Sequence, residues 1–126
     1  MVDVHKQVEY WRSSSEEDFA AAESLIEKGH FRHGLFFAHL AVEKMLKAHV
    51  TKQTGDIPPR IHNLVRLAEL AEAAISSKQA TFLRSFGMYQ MEGRYPDSVQ
   101  VTLDVETARG KLALAEEMLE WLKARL

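Results

Sequence analysis

No cysteine occurs among the 126 residues, which excludes disulfides, thiolate metal sites and cysteine nucleophiles. That absence fits a reducing compartment. The first residues, MVDVHKQVEYW, also lack a basic stretch followed by an apolar one, so a cytoplasmic protein is expected. No window approaches the roughly 18 uncharged apolar residues that a membrane span needs. An excess of one charge is missing too: 16 Lys and Arg stand against 18 Asp and Glu, and the net charge of −2 gives no global case for nucleic acid or membrane surfaces. Only three prolines occur, two of them adjacent at Pro58-Pro59. The six glycines are scattered and form no phosphate-cradling loop, and there is no serine-nucleophile elbow. Strand alternation, internal repeats and linker-like tracts are absent as well. What remains is one domain, residues 1–126, large enough to bury a core without staples.

What the sequence does have is helical periodicity, densest in FRHGLFFAHLAVEKMLKAHV, residues 31–50. At 100° per residue Leu35, Ala38, Val42, Met45, Leu46 and His49 share one side, with Lys44 nearly opposite. Phe36, Phe37, Leu40 and Ala41 spread over the flanks, which marks a central helix covered by neighbours. His39 and Glu43, one turn apart, fall at the edge of the apolar face, where polar groups need partners.

A first helix is expected over Asp3–Lys28, carrying Val4, Val8, Trp11, Phe19, Ala22, Leu25 and Ile26 inward and ending at Gly29. Ser13-Ser14-Ser15 with Asp18 offers an alternative break and a fresh cap, but one continuous helix is the preferred reading. The central helix spans Phe31–Gln53, and Thr54-Gly55-Asp56-Ile57-Pro58-Pro59 is a loop. A third helix over His62–Ala74 and a fourth over Lys78–Gln90 follow, the fourth weakened by Gly87. Residues 91–103 form a loop holding Arg94-Tyr95-Pro96-Asp97. Asp104 caps the last helix, with Glu106 in its first turn and Lys123 and Arg125 in its last. The fold class is all-α.

Helix two's AHLAVEKMLKAHV, the Pro58-Pro59 loop leading into HNLVRL, and Arg94-Tyr95-Pro96-Asp97 occur in an order and spacing that resemble the HEPN (higher eukaryote and prokaryote nucleotide-binding) domain family. The resemblance covers nearly the whole chain. It implies an antiparallel up-and-down four-helix bundle with one additional short helix, often a homodimer. Small family members resemble partners of minimal nucleotidyltransferases. Others resemble metal-independent ribonucleases, whose signature is Arg, four to six residues, then His. Here Arg94 is followed by Tyr95, Pro96, Asp97, Ser98, Val99, Gln100 and Val101, and the last histidine of the chain is His62. Arg32 and His39 have the right spacing, but in the second helix. The sequence therefore departs from the nuclease pattern.

The expected function is a non-catalytic binding module for a nucleotide or other phosphate-bearing ligand, or for a minimal nucleotidyltransferase; ribonuclease action on RNA is the alternative. The candidate ligand-binding residues are His39, Glu43, Lys47, His62, Arg94, Tyr95 and Asp97. Lys47 and Arg94 would hold phosphate, Tyr95 would stack on a base, and Glu43 would orient Arg94. Duller readings stand beside these. Glu43 and Lys47 suit a surface i,i+4 bridge. His39 suits a satisfied core histidine, His62 a cap on the third helix, and Arg94–Asp97 a simple turn. No cofactor or metal is expected: Glu-x-x-His occurs once, at Glu27–His30, and His30 with His33 lacks a carboxylate at ligating spacing. Trp11, Phe31, Phe82, Phe86 and Trp121 exceed what a thin bundle hides easily, which predicts a homodimer.

Overall fold

The computed structural model describes residues 2–90 and 103–126, and within them the regular structure is entirely helical. Helix α1, Val4–Glu27, starts where the Asp3 side chain accepts the Lys6 amide at 3.1 Å and stops before Gly29, whose φ of +88° is left-handed. It is continuous through the serines. Ser15 is fully buried and donates to the Ala41 carbonyl at 2.6 Å, so its hydroxyl joins α1 to α2 instead of capping a new helix. Helix α2, Phe31–Thr54, ends in a left-handed Gly55 (φ +72°) whose amide returns to the Thr51 carbonyl. Its predicted inner side is the centre of the core: Leu35, Ala38, Val42, Met45 and Leu46 are at most 1% exposed.

Two helices are shorter than the periodicity predicts. Helix α3 is Leu64–Leu70, with Asn63 as its cap accepting the Arg66 amide, so His62 lies before the helix and does not cap it. The apolar spacing runs on to Ala74, but the backbone turns at Glu72, which adopts φ +52°. Helix α4 is Ser77–Phe86, opened by a reciprocal capping box between Ser76 and Gln79. A 3₁₀ turn, Gly87–Tyr89, replaces the expected continuation to Gln90, beginning at the glycine that weakens the helix. The expected loop 91–103 falls almost wholly outside the described residues. Helix α5, Val105–Ala124, starts at Asp104, which accepts the Thr107 amide at 2.7 Å.

Cross-helix contacts give the topology. Trp11 lies beside Lys47, Ser15 beside Ala41 and Ile26 beside Gly34, so α1 and α2 are antiparallel. Lys123 reaches Glu16 at 3.0 Å, and His49 Nε2 donates to the Leu122 carbonyl at 2.8 Å, which puts the ends of α2 and α5 side by side. Ser76 and Phe82 line one cleft with Trp121 and Met118, while Phe86 stacks on His39. Helix α4 therefore runs back against α2 and α5. The result is an up-and-down four-helix bundle of α1, α2, α4 and α5, with α3 as the short extra helix. The carbonyl end of α5 is covered by His49, by Lys52 on the Leu126 carbonyl, and by Arg125 on the Trp121 carbonyl at 3.1 Å. The Lys52 and Arg125 cations there complement the helix dipole. No helix among the described residues is long and apolar enough to cross a membrane.

Candidate functional site

A ladder of three polar side chains, His39, Glu43 and Lys47, climbs one edge of α2 at i,i+4 spacing. All three are buried: His39 is 0%, Glu43 3% and Lys47 7% exposed. Glu43 is the hub. Its Oε2 lies 3.0 Å from Lys47 Nζ and 3.1 Å from His62 Nδ1, and Oε1 is 3.2 Å from the same ring nitrogen. A carboxylate only accepts, so His62 Nδ1 carries the proton and donates to Glu43. The surface-bridge reading of Glu43 and Lys47 is thus corrected: the pair forms, but inside. Burying it is tolerable because each charge meets an opposite one and the carboxylate is bonded from two elements. Lys47 also lies over the Trp11 ring, 5.4 Å from its centroid, which tucks the ammonium against α1.

His62 sits on the loop before α3 with its side chain 43% exposed, making it the outer rim of the cluster. His39 is the inner member. Its ring stacks on Phe86 at 6.2 Å with planes 14° apart, and neither ring nitrogen has a hydrogen-bond partner among the described residues. Glu43 Oε1 is 3.8 Å from His39 Nδ1, beyond bonding range. The expectation of a satisfied core histidine is half right: it is in the core and unsatisfied. Burial pushes its imidazole from the ordinary 6.5 down to about 4, opposed by the Glu43 charge and helped by His62.

Four of the seven candidate residues, His39, Glu43, Lys47 and His62, are therefore brought together. Arg94, Tyr95 and Asp97 lie outside the described residues, and so does the expected Glu43–Arg94 pairing. Trp11 and Phe86 belong to the cluster's walls and were not foreseen there. Their only sequence signal is membership of the inward stripes of the first and fourth helices. No three His, Asp or Glu side chains among the described residues gather in a way that could hold a metal ion, and the Lys47 ammonium already occupies the Glu43 carboxylate.

The model of the HEPN domain family matches residues 8–125. The chain belongs to the HEPN family. Among solved structures, TT1696 from Thermus thermophilus is similar to this HEPN chain at TM-score 0.81 and 20% identity, covering 95% of this chain and 98% of that one. ST0689, described as an archaeal HEPN homologue, is similar at TM-score 0.74 and 20% identity, with 94% and 96% covered. At such identity these likenesses speak to the HEPN fold alone. No curated protein matches the chain.

Proposed function

We propose that this HEPN domain is a non-catalytic binding module that takes a nucleotide or another phosphate-bearing ligand at the His62 rim. One observation carries the reading: a buried carboxylate, Glu43, holds two cation-capable side chains from different elements, and the outer one is half-exposed. Glu43 fixes the His62 ring by its Nδ1, so the opposite edge of the ring faces away from the carboxylate. With His62 protonated the cluster carries two positive groups against one negative group. Arg94, four residues after Gln90 in the sequence, would add a bidentate phosphate donor. The family resemblance makes a minimal nucleotidyltransferase the protein-sized alternative for the same rim. Calorimetric titration with ATP, GTP and a dinucleotide is expected to show binding that weakens in His62→Ala and Arg94→Ala. Absence of heat at millimolar ligand, with an unchanged melting temperature, would remove the small-ligand reading.

A second reading, metal-independent ribonuclease, has one observation in its favour: an imidazole held by a carboxylate through Nδ1 is an arrangement suited to proton transfer. It predicts RNA cleavage without added metal, lost in His62→Ala and Arg94→Ala. RNA left intact after long incubation with micromolar protein would eliminate it.

A further inference from the structure

Glu43 stands between two imidazoles and bonds only one of them. His62, outside, is held at 3.1 Å; His39, inside, is 3.8 Å away, and neither of its ring nitrogens is bonded among the described residues. His39 cannot turn out to water, because it is wholly buried and lies flat against Phe86. An unbonded polar ring in an apolar wall is unfavourable, and such groups in folded proteins call for an explanation. The geometry supplies one. His39 and Glu43 are i,i+4 neighbours on one helix face, and a shift of the carboxylate by roughly 1 Å would turn the 3.8 Å approach into a hydrogen bond.

We propose that Glu43 is a two-position carboxylate: it holds His62 when the site is empty, and turns onto His39 when an anion draws His62 outward. The inference rests on the reading that phosphate is taken at His62. Lys47 stays on the Glu43 carboxylate in both positions, so the buried charge is compensated throughout. Engagement of the rim thereby reaches the core. His39 lies against Phe86, and Phe86 meets Tyr89 in the turn from which the chain enters residues 91–102.

The test uses the full chain with ¹⁵N-labelled histidine, followed by imidazole NMR in two arms. In the first, His62→Ala removes the outer partner without any ligand; His62 is a half-exposed loop side chain outside the buried core. The His39 Nδ1–H resonance is expected to move downfield, as for a proton shared with a carboxylate, and the move is expected to vanish when Glu43→Gln is added. An unchanged His39 signal in His62→Ala overturns the second position. In the second arm, inorganic phosphate is titrated into the unmutated protein. Coupled movement of the His62 and His39 signals supports the proposal. Movement of His62 alone preserves the binding reading and overturns the coupling. Movement of neither overturns the phosphate site and with it the trigger, while the first arm still decides the carboxylate.

Discussion

Desolvation keeps His39 neutral, and the consequence is a measurable pH dependence of folding. Its pKa falls from 6.5 to about 4 in the folded chain, so between those values the unfolded state binds more protons than the folded one. Stability from this group is fully present above pH 6.5 and is lost as pH falls toward 4. Linkage puts the loss at about 2 kcal/mol on going from roughly pH 8 to pH 5. His49, whose pKa is also lowered by burial, adds to the loss in the same direction. Urea unfolding at the two pH values should therefore show a smaller drop in His39→Leu than in the unmutated chain, with the His49 share remaining. Equal drops in the two proteins would mean that His39 is not held neutral by its surroundings. The sequence reveals that His39 and Glu43 sit at the edge of a buried face, because angle around a helix is a local property. It does not reveal that Glu43 would choose His62, nineteen residues away across a proline loop.

Between elements, α2 approaches α1 closely at Gly34. A Cβ there would stand 2.5 Å from Ile26 Cγ1 and 3.2 Å from the Ala22 carbonyl oxygen. Alanine ordinarily favours a helix interior over glycine by about 1 kcal/mol. Overpacking of a close interface costs about 1–3 kcal/mol, and it should win here because one obstacle is backbone and the other is a branched side chain near its root. Gly34→Ala is expected to lower stability by roughly 1 kcal/mol net. Ile26→Ala should then cost less in the Gly34→Ala background than alone, since it removes the atoms the new methyl meets. Stabilisation by Gly34→Ala would show that the helices can separate freely. The helix ends follow the same division between local and distant causes. Gly29, Gly55 and Asp104 mark their boundaries in the sequence, because a left-handed turn or a side-chain cap is written in one residue. The α3 end is hidden, because Glu72 takes a left-handed conformation that its residue type disfavours; its carboxylate accepts a hydrogen bond from Gln53 of α2, a tertiary contact. The end of the fourth helix has the opposite cause: Gly87 marks it locally, although the aromatic spacing continues through Tyr89.

At the scale of the whole molecule, the five large side chains that predicted self-association are not equivalent. Phe86 is fully buried within one copy; Trp11, Phe31, Phe82 and Trp121 are all partly covered, and of these Phe82 and Trp121 line a cleft between α4 and α5. That cleft, of about 620 Å³, is also lined by Met118 and by Leu114, which is 42% exposed. Lys78 on its α4 wall and Glu117 on its α5 wall carry opposite charges. A two-fold axis running along such a cleft would set each lysine against the other copy's glutamate and close both apolar floors at once, as an isologous interface requires. A homodimer through this face is our proposal for the assembly. Sedimentation velocity at tens of micromolar should give a dimer that Leu114→Lys converts to monomer. Because Leu114 is outside the core, the melting temperature of the variant at high dilution should match that of the unmutated chain. A monomer at every concentration would reject the assembly. A dimer unaffected by Leu114→Lys would move the interface away from the α4–α5 cleft.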